Sequence, residues 1–224
     1  MSTRIVLIHG LGRTRHSMFR LGLYLNRHNF DTRRFGYRSL NETLSDTGPG
    51  LETFLKSWYK EEPQKGPIHL VTHSMGGILA RYCEEKNLLP HVHRIVMLGP
   101  PNHGCEVAEW FNAHFPRFFK FLMGPNGPRL GTDENSYIAR LPNIINHETG
   151  IIAGTKNRLF ITRFMLPVPN DGLVSVKSTR LEGMKDWTTV PTGHTFMMND
   201  HRVRRLTVKF LREGKFDCSR QNFK

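Results

Sequence analysis

The sequence predicts an α/β protein with a mostly parallel sheet flanked by helices. Three observations carry this expectation. Short apolar runs bounded by Gly, Pro or polar residues recur along the chain, and most are too short for helices. Stretches with apolar residues at helical spacing fall between them, and such alternation builds parallel sheets covered on both faces. The length of 224 residues suits one core with a modest insertion, whereas two full domains would be cramped.

Taken in order, the first strand is expected at residues 5–9, Ile-Val-Leu-Ile-His. A helix over 17–28 follows, with Met18, Leu21, Tyr24 and Leu25 at helical spacing. Residues 33–37 are a further strand candidate. A helix over 51–59 is expected to begin after Gly48-Pro49-Gly50, which reads as a breaker. The next strand covers 68–72, and a helix over 75–89 follows it directly. Strands at 93–98, 150–153 and 187–190 complete the sheet, and a helix over 202–212 closes the chain.

One region breaks the rhythm. Residues 104–148 show no clear strand. They open with a helical aromatic cluster of Trp110, Phe111, Phe115, Phe118, Phe119 and Phe121. A loop follows, punctuated by Gly124-Pro125-Asn126-Gly127-Pro128, Gly131 and Pro142. The segment reads as a cap-like insertion within a single domain spanning 1–224.

Composition narrows the classes of function. With 38% hydrophobic and 23% charged residues, a membrane-embedded or disordered chain is not expected. No stretch approaches the roughly 18 apolar residues of a spanning helix. The run Ile5-Val6-Leu7-Ile8 is too short for a signal-peptide core, and no small-residue cleavage site follows it. Cys83, Cys105 and Cys218 are odd in number and irregularly spaced, which fits neither a disulfide framework nor a zinc site. A reduced, cytoplasmic setting is therefore expected. The formal net charge of +13 raises nucleic acid, anionic membrane surfaces and acidic small molecules as partners. The basic residues are dispersed, however, as Arg13, Arg15, Arg33, Arg34, Arg38, Arg202, Arg204 and Arg205 illustrate. No dense block interleaves with aromatics, so nucleic acid is not expected, and weak association with anionic membrane is the secondary expectation.

The strongest motif is Thr72-His73-Ser74-Met75-Gly76-Gly77, preceded by an apolar strand and followed at once by a helix. A serine on a sharp strand-to-helix turn is held in strained geometry with its hydroxyl exposed. The turn needs small residues two before and two after the serine, because strand and helix approach closely there. Gly76 meets this need, while Thr72 stands where the common pattern has Gly. The helix N-terminus beneath Ser74 favours developing negative charge. Upstream, the first strand ends in His9-Gly10-Leu11-Gly12. A tetrahedral acyl-transfer intermediate needs two preorganised donors, and the N–H groups of Leu11 and Met75 are the candidates. His9 itself reads as a structural residue at a strand end.

On such a scaffold the order is Ser, then an acid, then His. Asn170-Asp171-Gly172-Leu173-Val174 offers Asp171 in a polar turn, and Thr192-Gly193-His194-Thr195 offers His194 in a loop before the last helix. His194 would take the Ser74 proton and return it to the leaving group, and Asp171 would fix the imidazole tautomer. Asp186 precedes a strand, Asp200 follows the histidine, and His201 lies at the start of the final helix, so these rivals fit the order less well. His73, next to the serine, is expected to point away or to support the site.

These segments, with Leu98-Gly99-Pro100-Pro101-Asn102-His103-Gly104, fall in the order found in a known family. The chain resembles a small α/β-hydrolase of the bacterial lipase/esterase type over residues 5–216. The resemblance implies the α/β-hydrolase fold and ester hydrolysis through a serine acyl-enzyme, with no cofactor and a small-molecule ester or lipid as substrate. Thioesterase, phospholipase or acyltransferase chemistry in the same site stays open, as does a non-catalytic binding protein on the same scaffold. His103, Trp110 and Phe111 are expected to line the substrate pocket. For the aromatic segment over 107–123, three uses stay open: lining an acyl cleft, contacting a lipid surface, or packing the insertion on the core.

Overall fold

The structure is a computed structural model that describes residues 3–131, 136–159, 162 and 166–216. Cys218 lies outside them; Cys83 and Cys105 are free thiols.

Six strands form one parallel sheet in the order β2-β1-β3-β4-β5-β6. They are β1 (Thr3–Ile8), β2 (Phe30–Phe35), β3 (Ile68–His73), β4 (Val92–Leu98), β5 (Glu148–Gly154) and β6 (Asp186–Val190). Every pairing is parallel. Parallel strands need crossover connections, and these are helical: α1 (Phe19–Arg27), α2 (Leu44–Glu61) and α3 (Met75–Glu85). The last helix, α7 (His201–Glu213), follows β6.

Side-chain alternation splits the core in two. Val6, Ile8, Leu70, Ile95 and Met97 face one side, where they meet Leu51, Leu55 and Trp58 of α2 and Ile78 and Leu79 of α3. Ile5, Leu7, Val71, Val96 and Leu98 face the other, against Leu21 and Leu25 of α1 and Val203, Phe210 and Leu211 of α7. Both faces are covered, which is why these strands read as continuous apolar runs rather than alternating ones. Gly150 on β5 makes α7 fit: a Cβ there would lie 2.5 Å from the Phe210 ring.

The starts of two elements depart most from the sequence reading. Strand β2 covers Phe30–Phe35 rather than 33–37, because Phe30 and Phe35 are its buried anchors and pair with Thr3 and Ile8 of β1. Helix α2 starts at Leu44 and runs through Gly48-Pro49-Gly50. The reason lies upstream. Thr43 and Asp46 form a reciprocal capping box, which fixes the first turn before the proline is reached. Gly48 then lets α2 press against α3, since a Cβ there would lie 2.9 Å from the Tyr82 ring. Cap and packing together outweigh the N–H that Pro49 lacks.

Between β4 and β5 lie α4 (Glu106–His114), α5 (Pro116–Met123) and the short α6 (Tyr137–Arg140). Buried Arg81 of α3 ties this segment to the sheet, donating to the carbonyls of Asn102 and Pro142, both at 2.8 Å.

Candidate active site

The site forms where β1, β3, β4 and β5 end on the same edge of the sheet. At the end of β3 the chain turns into α3 through Ser74, whose φ is +52° and ψ −124°. A non-glycine residue holds such a conformation only when its surroundings enforce it. Three glycines do so. A Cβ on Gly10 would lie 2.9 Å from the Ser74 Cβ, and one on Gly76 would lie 2.8 Å from the His9 carbonyl oxygen. Gly77, likewise, sits where a Cβ would lie 2.9 Å from Pro100 and 3.5 Å from the Thr72 hydroxyl. Thr72 is accommodated at the −2 position because Gly77 faces it.

Ser74, His194 and Asp171 form one hydrogen-bonded chain. The Ser74 hydroxyl donates to Nε2 of His194 at 2.9 Å, and Nδ1 of His194 donates to Oδ2 of Asp171 at 2.7 Å. His194 and Asp171 are both buried. The other carboxylate oxygen of Asp171 accepts the N–H groups of Leu173 at 3.0 Å and Val174 at 2.8 Å. A buried carboxylate needs such donors, and these fix its rotation so that Oδ2 faces the imidazole. The same bonds explain why the acid sits in an Asp-Gly turn. The turn folds the next two N–H groups back onto the side chain.

Two further glycines make room for this pair. Gly99, directly after β4, has φ +55°, and a Cβ there would lie 3.1 Å from Asp171 Oδ2 and 3.3 Å from His194 Nδ1. Gly154, the last residue of β5, leaves space for Asp171, whose Cβ would lie 2.7 Å from a Cβ built on Gly154. The sequence reading assigned neither a role. Their signal was present as a glycine at the end of each of two consecutive strands on the same sheet edge.

Leu11 and Met75 flank Ser74. Met75 is the first residue of α3, so its N–H has no acceptor within the helix. Leu11 borders the cavity above Ser74. Its loop is tied down on both sides. The Gly12 N–H donates to the Ser39 hydroxyl at 3.1 Å, and the His9 ring stacks on Tyr37, whose hydroxyl donates to the His9 carbonyl at 2.7 Å. His9 is buried and holds the loop.

His73 is also buried, and its Nε2 donates to the backbone carbonyl of His194 at 3.0 Å. Burial above all, with the neighbouring His194 ring and the Arg13 charge acting in the same direction, holds it well below the ordinary histidine range. It is thus a neutral ring that anchors the loop carrying His194. The rivals lie elsewhere. Asp186 accepts the N–H groups of Trp187 and Phe216, Asp200 caps α7 and pairs with Arg202 at 2.7 Å, and the His201 side chain is exposed.

A cavity of about 560 Å³ opens beside Ser74. Its walls include Val107, Ala108 and Phe111 of α4, Phe118, Phe119 and Leu122 of α5, and Leu173 and Val174 of the Asp171 turn. Of the three residues expected to line it, Phe111 does and His103 and Trp110 do not. The cause is helical phase: positions 107, 108 and 111 share one face of α4, which turns Trp110 outward to stack on His114 at 4.4 Å. The backbone N–H of His103 is bound to the Ser178 carbonyl at 2.9 Å. Cys105 also borders the cavity, and burial pushes its thiol up to about 12, so it stands there as a neutral thiol.

Sheet order, the turn at Ser74 and the two returning loops define an α/β-hydrolase fold. The chain belongs to the alpha/beta hydrolase family, whose model matches residues 5–215. Among solved structures it is similar to the mature lipase BlEst2 of Bacillus licheniformis, with 19% identity over 94% of this chain and 91% of that one and a TM-score of 0.71. It is also similar to a monoacylglycerol lipase of Paleococcus ferrophilus, with 14% identity over 96% and 97% of the two chains and a TM-score of 0.63. Phospholipase PlaB of Legionella pneumophila matches at 15% identity and a TM-score of 0.64, over 96% of this chain and 57% of that one. No curated protein matches the sequence.

Proposed function

We propose that this protein is a serine ester hydrolase, acting through Ser74, His194 and Asp171 on esters with an apolar acyl group. The hydrogen-bonded chain from Ser74 through His194 to Asp171, opening onto an apolar cavity, carries this reading. In the first step neutral His194 accepts the Ser74 proton at Nε2 as Oγ attacks the ester carbonyl. The N–H groups of Leu11 and Met75 stabilise the oxyanion. His194 then delivers its proton to the departing alcohol, leaving an acyl-Ser74, and a water activated by His194 releases the acid. Asp171 keeps Nδ1 protonated and stabilises the imidazolium. No step draws on a cofactor.

The substrate class follows from the cavity. Its volume lies within the usual range for a drug-sized ligand, and its α4 and α5 walls suit an alkyl chain. On this reading residues 104–148 act as a cap whose α4 and α5 roof the acyl slot. Helix α5 also faces outward: Phe118, Phe121 and Leu122 are 63%, 87% and 51% exposed, with exposed Arg117 and Lys120 beside them. Aromatic side chains flanked by cations suit the interface of an anionic bilayer, so such a membrane is the partner proposed for this helix.

Labelling with a fluorophosphonate probe, followed by nitrophenyl esters of rising chain length set against acyl thioesters and phospholipids, tests the assignment. Stoichiometric labelling at Ser74 and faster turnover of longer acyl esters are expected. An intact protein that does not label is not a serine hydrolase.

A further inference from the structure

The cavity beside Ser74 has one feature that an apolar acyl chain does not require. Among the described residues that line it, Arg13 is the one carrying a full charge. Arg13 follows the Gly10-Leu11-Gly12 loop and is half-buried. Among the described residues it has no ion-pair partner, and its guanidinium donates no hydrogen bond to them. Its guanidinium carbon lies 5.5 Å from the centre of the Phe196 ring. A guanidinium with no carboxylate beside it, at the mouth of an apolar cavity, leaves its donors open to an anionic group of the ligand.

Its position says which part of the ligand that is. Phe196 lies two residues beyond His194, so Arg13 bridges the loop carrying the Leu11 N–H and the loop carrying His194. Helices α4 and α5 supply the apolar walls. The departing oxygen receives its proton from His194 Nε2, so the alcohol must run along the loop of His194, where Arg13 sits. The guanidinium fork matches two oxygens of a phosphate, and the Phe196 ring beneath it places it next to the His194 loop.

We infer that the alcohol part of the substrate carries a phosphate group and that Arg13 binds it, as in an acylated glycerol phosphate. This rests on the ester-hydrolase reading above. The reaction itself is unchanged. Water divides the acyl–oxygen bond, giving a fatty acid and a phosphorylated alcohol, and the phosphate ester stays intact.

The test compares kcat/KM for three substrates of one chain length, all below their micelle concentrations: 1-acylglycerol 3-phosphate, 1-acylglycerol, and the acyl ester of a hydroxy acid bearing a carboxylate. The wild type is expected to favour the phosphate over the neutral ester on the order of 10- to 100-fold, the range of a charge-assisted bidentate contact. Arg13→Ala should bring that ratio close to one, Arg13→Lys should keep part of it, and Arg13→Glu should reverse it. The ratio is measured within each variant, so a general loss of activity or folding does not mimic the effect. Equal turnover of phosphate and neutral esters by the wild type, or an unchanged ratio in Arg13→Ala, overturns the inference and leaves ester hydrolysis standing. Equal preference for phosphate and carboxylate overturns the phosphate assignment. If none of the three is hydrolysed and the fluorophosphonate does not label, the ester-hydrolase reading itself has failed.

Discussion

His194 and Asp171 are joined twice: ring Nδ1 donates to Oδ2 at 2.7 Å, and the backbone N–H of His194 donates to the Asp171 carbonyl at 3.0 Å. The second bond ties the two loops together whatever the carboxylate does. Asp171→Asn should therefore preserve the fold and the place of the imidazole while losing control of its tautomer. The amide oxygen can still accept the N–H groups of Leu173 and Val174. A fall in kcat of about 10³- to 10⁴-fold on a nitrophenyl ester is expected, with a melting temperature close to that of the wild type. Activity within tenfold of wild type would remove Asp171 from the mechanism.

Ser74→Ala takes away the proposed nucleophile and keeps the Cβ that the turn already accommodates. Turnover should drop by at least about 10⁴-fold and fluorophosphonate labelling should vanish. Stability should not fall, because the Ser74 hydroxyl points into the cavity rather than into the core. Wild-type turnover in this variant would rule out the assignment.

Gly99→Ala tests the room made for the acid and base. The added methyl would press on Asp171 and His194 and would stand at a positive φ, which costs roughly 1–2 kcal/mol for a side-chain-bearing residue. Both effects act together, so kcat should fall at least about tenfold and the melting temperature by several degrees. An unchanged kcat in the Gly99→Ala variant would show that the site tolerates a shift of the pair.

Acid should destabilise this protein over two pH windows. Burial first, then the charges of His93 and Arg94, holds His69 at about 4, and His73 is lowered for related reasons. The unfolded chain protonates its histidines near pH 6.5. Between those values the unfolded state binds more protons, so stability falls as pH drops from about 6.5 towards 4. Glu148, hydrogen-bonded by Lys185 and then Arg94, titrates at about 2, and its contribution is lost between about pH 4.5 and 2. Melting temperatures measured from pH 7.5 to 3 should decline across the first window, and His69→Gln should flatten that decline. A flat profile above pH 5 would contradict the buried-histidine account.

Helix α5 should govern lipid contact. The pair Phe118→Ser and Phe121→Ser is expected to reduce co-sedimentation with phosphatidylglycerol vesicles at least about fivefold. Binding to neutral phosphatidylcholine vesicles should be weaker from the start, because Arg117 and Lys120 add attraction only to an anionic surface. Equal binding of wild type and double variant to the anionic vesicles would place the contact elsewhere.

Much of the sheet was legible because its central strands carry short apolar runs buried on both faces, as Ile5–Ile8 and Val96–Leu98 illustrate. The shifts at β2 and α2 have a common cause. Which aromatic anchors the edge strand, and whether a helix tolerates Gly48-Pro49-Gly50, depend on partners distant in sequence, namely β1 and Tyr82. Among the candidate site residues, Ser74, Asp171 and His194 stand in motifs with local turn chemistry, so their neighbours announced them. His103 and Trp110 lie close to pocket residues in sequence only, and the phase of α4 sets Trp110 outside the cavity.

The sequence by itself determined the alternation of strands and helices, the turn at Ser74 and the chain order of serine, acid and histidine. These depend on residues within a few positions of one another, where backbone preference and side-chain size act directly. The tertiary structure alone decided what stands across from what. Gly99 and Gly154 make room for Asp171, His73 anchors the His194 loop, and Arg13 meets Phe196 at the rim of an apolar cavity. Those relationships join residues as far apart as 13 and 196. They exist only once the packed sheet has brought its strand ends to one edge.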